Sequence, residues 1–527
     1  MVVERGAMTL TQSTRPYERL LRLDPSSRLT PGGGQLTLWS RFGRVAVGER
    51  DRPMVAVLQA LATTEVTPTD LERLALATAG ATATDDEIAV LARLHWLLDR
   101  IGNALQQQIG PAGEPGWLRV TALTGDLRFT HRPYTGNAAV ALSRLALLRR
   151  RDGRMVVESG LAPFRVSVLH EQALALVGAL TEPRTVADLA VRLGLDETAI
   201  RHLVGFLAAA QLTDAVDPAA DQWDPHELYF HSRSRCGRTD ESFGATFPFV
   251  DVRPPLPPVK PAPDGPAVAL PRPDFDALRA TDPPLVLVQE ARRSVRGFGV
   301  EPMTLAQLGE FLYRVGRVRS VYGPDHDNRM PYEGVDRPYP TGGASGDLEI
   351  YVTAHRVAGL PRAAYHYDAW EHRLVQVCDD PTLIQGLLAG AAQATGGTPT
   401  PDALITFTSR FGRLTWKYDA MGYAATLKHV GVAYQTAYLV ATAMGLAPCG
   451  LGSGDAHLSA RVFGLDWQVE SSVGEFMLGS LPRWADGTDP HQGRTNWRGA
   501  NDPDWARRAG RLLSAARHDR VASEEPS

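Results

Sequence analysis

The chain has 527 residues, 44% of them hydrophobic, and a formal net charge of -4. That length and composition allow roughly two to four domains with real cores. The near-balanced charge gives no general case for nucleic acid or an anionic membrane. Cys236, Cys378 and Cys449, the only cysteines, are too far apart for a disulfide framework or a structural zinc site.

The first stretch, MVVERGAMTLTQS, has no apolar core, which argues against a signal peptide and fits a reducing cytoplasm. The next elements form a repeat. Alternating strands at 35–39 and 45–47 lead into helices at 54–61, 68–77 and 85–105. Strands at 155–157 and 164–168, then helices at 171–180, 185–193 and 196–211, follow the same order. Thr185 and Asp196 stand where N-caps belong, and Gly194 ends the first helix of the pair. The pattern predicts two winged-helix-like units, 1–110 and 111–222. Their candidate recognition helix, ETAIRHLVGFLAAAQL, carries one Arg and one His, too few basic or amide side chains for a DNA reader. Packing, or capture of an extended peptide along a sheet edge, are the other uses of such a unit.

His226 and His231 are five apart rather than four, so a helical metal pair is not expected and no metal site is assigned. Eleven prolines then fall between Pro254 and Pro284. They make 223–284 an expected extended linker. A C-terminal domain is expected over 285–515, and a disordered tail over 516–527.

The chemistry-bearing residues lie in the C-terminal domain. Arg292, Arg293, Ser294 and Arg296 follow a short helix and suit a phosphate monoester, although a solvated basic helix end has the same composition. Tyr339-Pro340-Thr341-Gly342-Gly343 is a turn before a strand at 348–352, where glycine lets backbone approach a flat ligand. It is neither a GxGxxG turn entering a helix nor a Walker A loop. Trp416-Lys417-Tyr418 precedes a stretch, 430–454, with no charged residue. Gln435, Thr436, Thr442, Pro448, Gly445 and Gly450 interrupt that stretch, so it reads as a core or dimer-interface helix and not a membrane span. An adjacent Lys and Tyr can supply a proton donor and a proton acceptor. A short buried strand, VGEFMLG, follows at 473–479.

The order RRSxR, YPTGGxxxxxEIY, WKY, LKHVGVAYQTAYLVATAMGLAPCGLGSGD, VGEFMLG is similar to that of the nitroreductase-fold flavoenzymes. Within them the chain resembles the azoline dehydrogenases of the SagB/ThcOx type, nearest the cyanobactin oxidase branch. The resemblance covers about 285–485, and WKY is its most discriminating element. It implies an α+β fold in which two peptide-clamp units precede an FMN domain. It implies FMN held non-covalently at a homodimer interface. Arg292, Arg293, Ser294 and Arg296 match the element holding the phosphate and ribityl chain. Thr341 and Gly343 match the turn that faces the isoalloxazine across the dimer, Gly450, Leu451 and Gly452 the turn beside N5, and Lys417 and Tyr418 the catalytic pair. Many relatives have Ser at the position of Thr341 and Asn at that of Thr436. Thr341 keeps the hydroxyl, and Thr436 is left out of the site.

The implied activity is oxidation of thiazoline or oxazoline rings to azoles in a ribosomally made peptide, with dioxygen as acceptor. The implied partners are the leader and core of a precursor peptide and a YcaO-type cyclodehydratase, with no nucleic acid or membrane. Two other readings stay open: an NAD(P)H-dependent nitroreductase-like oxidoreductase, and a leader-binding scaffold of a heterocyclase complex. The division of labour between Lys417 and Tyr418 is open as well.

Overall fold

A computed structural model describes residues 16–80, 84–214, 218–327, 329–485 and 503–524. The chain divides into two compact units between Glu241 and Ser242.

The first unit opens with β1 (Tyr17–Leu23) and a three-stranded sheet of β2 (Arg28–Gly32), β3 (Gln35–Ser40) and β4 (Gly43–Gly48). Alternation turns Leu36 and Leu38 inward. They meet α1 (Arg52–Thr63), α2 (Pro68–Ala79) and α3 (Thr84–Arg100) in one core with Val57, Leu61, Leu71 and Leu94. Next come β5 (Leu105–Pro111), β6 (Leu118–Ala122), β7 (Ala146–Arg151), β8 (Arg154–Ser159) and β9 (Phe164–Val168). Helices α4 (Glu171–Ala179), α5 (Val186–Leu193), α6 (Glu197–Ala209) and α7 (Pro225–Arg233) complete the unit. Thr185 and Asp188 form a capping box, Gly194 takes a left-handed φ of 65°, and Asp196 caps Ala199 N at 2.8 Å. Helix α6 buries Ile200, Leu203, Val204, Phe206 and Leu207, so the candidate recognition helix is a packing element.

The two expected repeats are not separate bodies. A six-stranded sheet of order β1-β5-β6-β9-β8-β7 runs through both, and the boundary expected at 110/111 falls inside β5. Strand β1 pairs with β5 along its whole length, which satisfies an edge that alternation alone cannot assign.

The second unit begins with β10 (Gly244–Ala245), β11 (Ala267–Ala269), α8 (Phe275–Thr281), α9 (Leu285–Ala291) and α10 (Leu305–Gly316). Strands β12 (Ser320–Tyr322), β13 (Gly334–Asp336), β14 (Leu348–Ala354), β15 (Ala364–Asp368) and β16 (Arg373–Cys378) follow, then α11 (Pro381–Ala394). The chain continues through β17 (Ala403–Arg410), α12 (Phe411–Thr415), β18 (Tyr418–Asp419) and α13 (Gly422–Ala443). It ends with β19 (Leu446–Gly450), α14 (Ala456–Phe463), β20 (Glu470–Ser480) and α15 (Pro503–Glu524). The main sheet has the order β11-β16-β15-β14-β17-β20-β19. Its centre is covered on both faces, by α10 and α13 on one side and by α11 and α14 on the other. The lack of charge in α13 beyond Lys428 follows from that placement, because Ala433, Ala437 and Val440 pack into the sheet. Among the described residues no helix is long and apolar enough to cross a membrane.

Two expectations change. The tail over 516–527 is helical as far as Glu524, since α15 continues through it; 525–527 lie outside the described residues. The proline-rich stretch is extended but not free. Prolines lack N–H groups and leave carbonyls to be satisfied from outside. Trp416 Nε1 donates to Arg253 O at 2.8 Å, Arg413 Nη1 to Leu256 O at 2.6 Å, and Arg410 Nη2 to Pro257 O. Lys260 adds a bond to Glu470 at 2.6 Å. Strand β11 joins the main sheet through β16. The stretch 223–284 therefore contributes α7, β10, β11 and α8 rather than a bare tether.

A buried charge network anchors β14. Glu349 is 3% exposed, with Arg410 at 3.1 Å and Arg337 and His366 each at 3.8 Å. Burial alone would raise the Glu349 pKa, but these neighbours outweigh it and hold it down to about 2. A depressed carboxylate pKa gives stability that is full above the unfolded value and is lost as pH falls towards the folded one. Between about pH 4.5 and 2 the wild type is expected to lose about 3 kcal/mol through Glu349. Urea unfolding across that window, compared with Glu349→Gln, checks this; parallel pH profiles for the two proteins would refute it.

Candidate active site

The Lys417–Tyr418 pair is set by a short backbone pairing. Tyr418 lies opposite Ala245 in the β10–β18 ladder, and Phe247 N donates to Lys417 O at 3.1 Å. The pair is thus held by the segment expected to be a linker. Lys417 Nζ donates to Tyr332 Oη, and Tyr332 Oη donates to Gly343 O at 2.6 Å. The ammonium lies 4.7 Å from the Tyr332 ring centre, 5.0 Å from that of Tyr418 and 5.9 Å from that of Phe247, within cation–π range. Burial raises the Tyr332 phenol pKa, with Arg413 opposing.

The Thr341–Gly343 turn meets the pair in the same chain. Gly343 has φ 59°, and a Cβ built there would lie 1.9 Å from Lys417 Nζ and 3.1 Å from Tyr418 Oη. Only glycine allows so close an approach. The turn is fixed at two further points. Thr341 Oγ1 accepts from Gly346 N at 3.0 Å, and Gly342 N donates to His429 Nε2 at 2.7 Å. That contact leaves the imidazole proton on Nδ1, which donates to Asp347 Oδ1 at 2.6 Å. Asp347 is fully buried and also accepts from Ser409 Oγ at 3.0 Å and Thr426 Oγ1 at 3.3 Å.

Tyr332, His429 and Asp347 were not picked out in the sequence. A histidine on a nearly uncharged helix is a faint sign of a buried polar role, but its carboxylate partner stands 82 residues away. Nothing local marks Tyr332.

The arginine-rich element and the glycine turn of β19 meet at a second place. Val295 N bonds Pro448 O at 2.8 Å, which sets Arg292–Arg296 beside the end of β19. Tyr438 Oη lies 2.7 Å from Ser294 Oγ and accepts from Gly450 N at 2.7 Å. The Arg292 guanidinium is 5.2 Å from the Tyr438 ring centre, and Arg293 Nη2 donates to Ala485 O. Burial raises the Cys449 pKa, while nearby Arg296 and Ser294 pull it down. Leu451 N bonds Glu475 O at 2.8 Å. A Cβ at Gly452 would meet nothing within 4 Å, so the turn is open on that side.

One chain therefore holds the expected residues in two groups. Lys417, Tyr418, Thr341 and Gly343 sit with His429, and Arg292, Ser294 and Gly450 sit around Tyr438, with Arg296 near Cys449 and Leu451 and Gly452 continuing the turn. His429 and Tyr438 are nine residues apart on α13, or about 14 Å along its axis. The second group offers guanidinium, hydroxyl and backbone N–H donors beside an open glycine turn, a donor set that fits the phosphate and ring edge of FMN. Among the described residues, no group of three His, Cys, Asp or Glu side chains could hold a metal.

Residues 140–240 match the family described as the cyanobactin oxidase ThcOx, and residues 290–480 match the nitroreductase family. Two separate segments of the chain thus resemble a cyanobactin oxidase and a nitroreductase. The chain is 29% identical over 181 residues to MJ1384 of Methanocaldococcus jannaschii, a candidate nitroreductase; the match covers 34% of this chain and 82% of that protein. It is 32% identical over 120 residues to the microcin B17-processing protein McbC of Escherichia coli, covering 21% of this chain and 42% of McbC. The match thus spans less than half of McbC. A candidate nitroreductase structure from Ralstonia eutropha superposes only slightly, at 20% identity and TM-score 0.32, over 44% of this chain and 99% of that one. The E. coli microcin synthetase McbBCD complex with truncated pro-MccB17 gives 21% identity and TM-score 0.30, over 36% and 69%.

Proposed function

We propose that the chain is an FMN-dependent azoline dehydrogenase that converts thiazoline or oxazoline rings of a ribosomally made peptide into azoles. The observation that carries this reading is the convergence of Lys417 and Tyr418 on the Thr341–Gly343 turn in a chain with ThcOx-like and nitroreductase-like segments. Aromatising an azoline removes a proton from one ring carbon and a hydride from its neighbour. Bound FMN supplies the hydride acceptor, and dioxygen regenerates it. Lys417 Nζ and Tyr418 Oη take up the proton and hold the ring heteroatom. Tyr332 fixes the Lys417 side chain, and the Asp347–His429 pair fixes the Gly342 backbone. Arg292, Arg293, Arg296 and Ser294 hold the phosphate and ribityl chain, and Gly450, Leu451 and Gly452 line the edge near N5.

The two groups of residues complete one another in a homodimer. Helix α13 presents Tyr423, Leu427, Gly431 and Val432 beside Lys428 on an exposed face that a second copy would cover. The first unit captures the leader peptide by strand addition. β7 is the outer strand of its sheet, within the stretch that matches ThcOx. The partners are a precursor peptide and the cyclodehydratase that forms its azolines, in the cytoplasm.

Mass spectrometry of a cyclodehydrated precursor after incubation with the flavin-loaded protein tests the reading. A loss of about 2 Da per azoline is expected, two hydrogens per ring. No loss with FMN bound would sink it, and bleaching by NADPH without peptide would favour a small-molecule reductase. Gly343→Ala is expected to slow azole formation by up to about 100-fold, because its methyl would displace Lys417 Nζ. Single-turnover assays with FMN content held equal check this; an unchanged rate would remove the turn from the site.

A further inference from the structure

The outer face of the six-stranded sheet carries a basic hollow that the proposed redox chemistry does not use. Strand alternation turns Leu118, Val120, Val157 and Val166 into the core beneath α4, α5 and α6. It leaves Arg119, Val156 and Ser167 on the opposite face, where Arg119 pairs across with Ser167 and Ser167 with Val156. A cavity of 340 Å³ opens there, and Arg119, Arg151, Arg154 and Arg165 are four of its nine lining residues.

Two of these arginines are largely engaged. Both Nη atoms of Arg165 bind Asp240, and Arg151 reaches Asp240 at 3.1 Å, Glu241 at 2.8 Å and Asp152 at 3.4 Å. Arg154 is exposed and, among the described residues, makes no side-chain hydrogen bond or ion pair. Arg119 gives Nη2 to Glu65 at 3.2 Å. Its Nε is sealed off, but the side chain is 23% exposed and Nη1 has no partner among those residues. Arg154 and Arg151 stand directly opposite in the β7–β8 ladder, a position where like charges destabilise.

The register extends this charge into a stripe. Arg22 on β1 faces Gln106 on β5, and Gln107 faces Val120, so Arg22 lies in the row of Thr121. Arg119 is two residues back along β6, and Arg154 is two residues back from Val156 on β8. Arg22, Arg119 and Arg154 thus form one diagonal, each two strands and two residues from the next, a step of about 12 Å. Arg22 also makes no side-chain hydrogen bond or ion pair among the described residues, and the nearby Asp24 is engaged by Gln106 and Ser26. Burial lowers the Arg119 pKa; Glu65 opposes this, and Arg154 and Arg22 lower it further.

An extended peptide advances about 3.3 Å per residue, so carboxylates four residues apart match the stripe. We propose that the first unit holds an acidic peptide segment against this face, with Glu or Asp side chains on Arg22, Arg119 and Arg154. Among the described residues no aromatic ring lines the cavity, so bases would have nothing to stack on, which favours a peptide over a nucleic acid. The proposal rests on the reading of the first unit as a leader-binding unit and names the charge of the segment it selects.

Fluorescence anisotropy tests it, with the flavin-loaded protein and labelled Glu-Thr-Thr-Thr-Glu-Thr-Thr-Thr-Glu or its counterpart with Gln for Glu. The Glu peptide is expected to bind about tenfold more tightly or better, and the margin should shrink as salt rises. Arg154→Glu also relieves the like-charged pair with Arg151, so it should abolish the preference without lowering the unfolding midpoint. Arg22→Gln should cut the preference about threefold. A preference that survives both variants, equal affinity for the two peptides, or no binding of either would overturn the proposal. Tighter binding of oligothymidylate would overturn it in favour of a nucleic-acid groove, and glutarate binding as tightly as the Glu peptide in favour of a free-anion site. Leader capture is read separately, from azole formation on a cyclodehydrated core with its leader removed. A slower reaction there, with equal affinity for the two peptides, would leave leader binding standing and sink only the acidic site.

Discussion

Lys417→Ala is expected to lower the rate of azole formation by about 10²–10⁴-fold while FMN stays bound. The ammonium touches Tyr332 Oη, the Tyr332 and Tyr418 rings and the Gly343 approach together. Its loss removes a proton-transfer group and releases Tyr332, which keeps its bond to Gly343 O. The arginine group around Tyr438 is untouched, so flavin affinity should hold. Tyr418→Phe keeps the ring and removes only the hydroxyl, so comparing the two variants apportions the work between them. Anaerobic flavin reduction with a cyclodehydrated peptide reads the step directly. If both variants stay within threefold of the parent rate, the pair is not catalytic.

Asp347→Ala should cost about 2–4 kcal/mol of stability, because it leaves buried donors unsatisfied at about 1–3 kcal/mol each. The carboxylate is fully buried, and its loss orphans His429 Nδ1–H and leaves the hydroxyls of Ser409 and Thr426 with only each other, at 3.3 Å. It also frees the imidazole that accepts from Gly342 N, so the turn should loosen. Urea unfolding followed by far-UV circular dichroism gives the first effect. A loss below 1 kcal/mol would show that the network is not holding the fold.

Local signals in the sequence reached the helices and strands well. Thr185, Gly194 and Asp196 each mark a helix end through a single side chain or φ value, and they lie where they were expected. The glycine turn, the arginine cluster and the Lys-Tyr pair were legible because each is a short run of residues with a distinctive chemistry. Their grouping was not. The Asp347–His429 contact spans 82 residues and the Lys417–Tyr332 contact 85, and both depend on how β14 and α13 pack. The shared six-stranded sheet was hidden for the same reason, since alternation marks a strand but not its neighbour.

The proline-rich stretch decides where a working fragment can begin. Excision at residue 285 would discard β10, which frames Tyr418, and the carbonyls of Arg253, Leu256 and Pro257. Trp416, Arg413 and Arg410 would then keep buried donors with nothing to bond, each costing about 1–3 kcal/mol. A piece starting at Ser242 retains all of these contacts. That unit begins 48 residues before its nitroreductase-family match at 290, and those residues buttress the Lys417–Tyr418 segment.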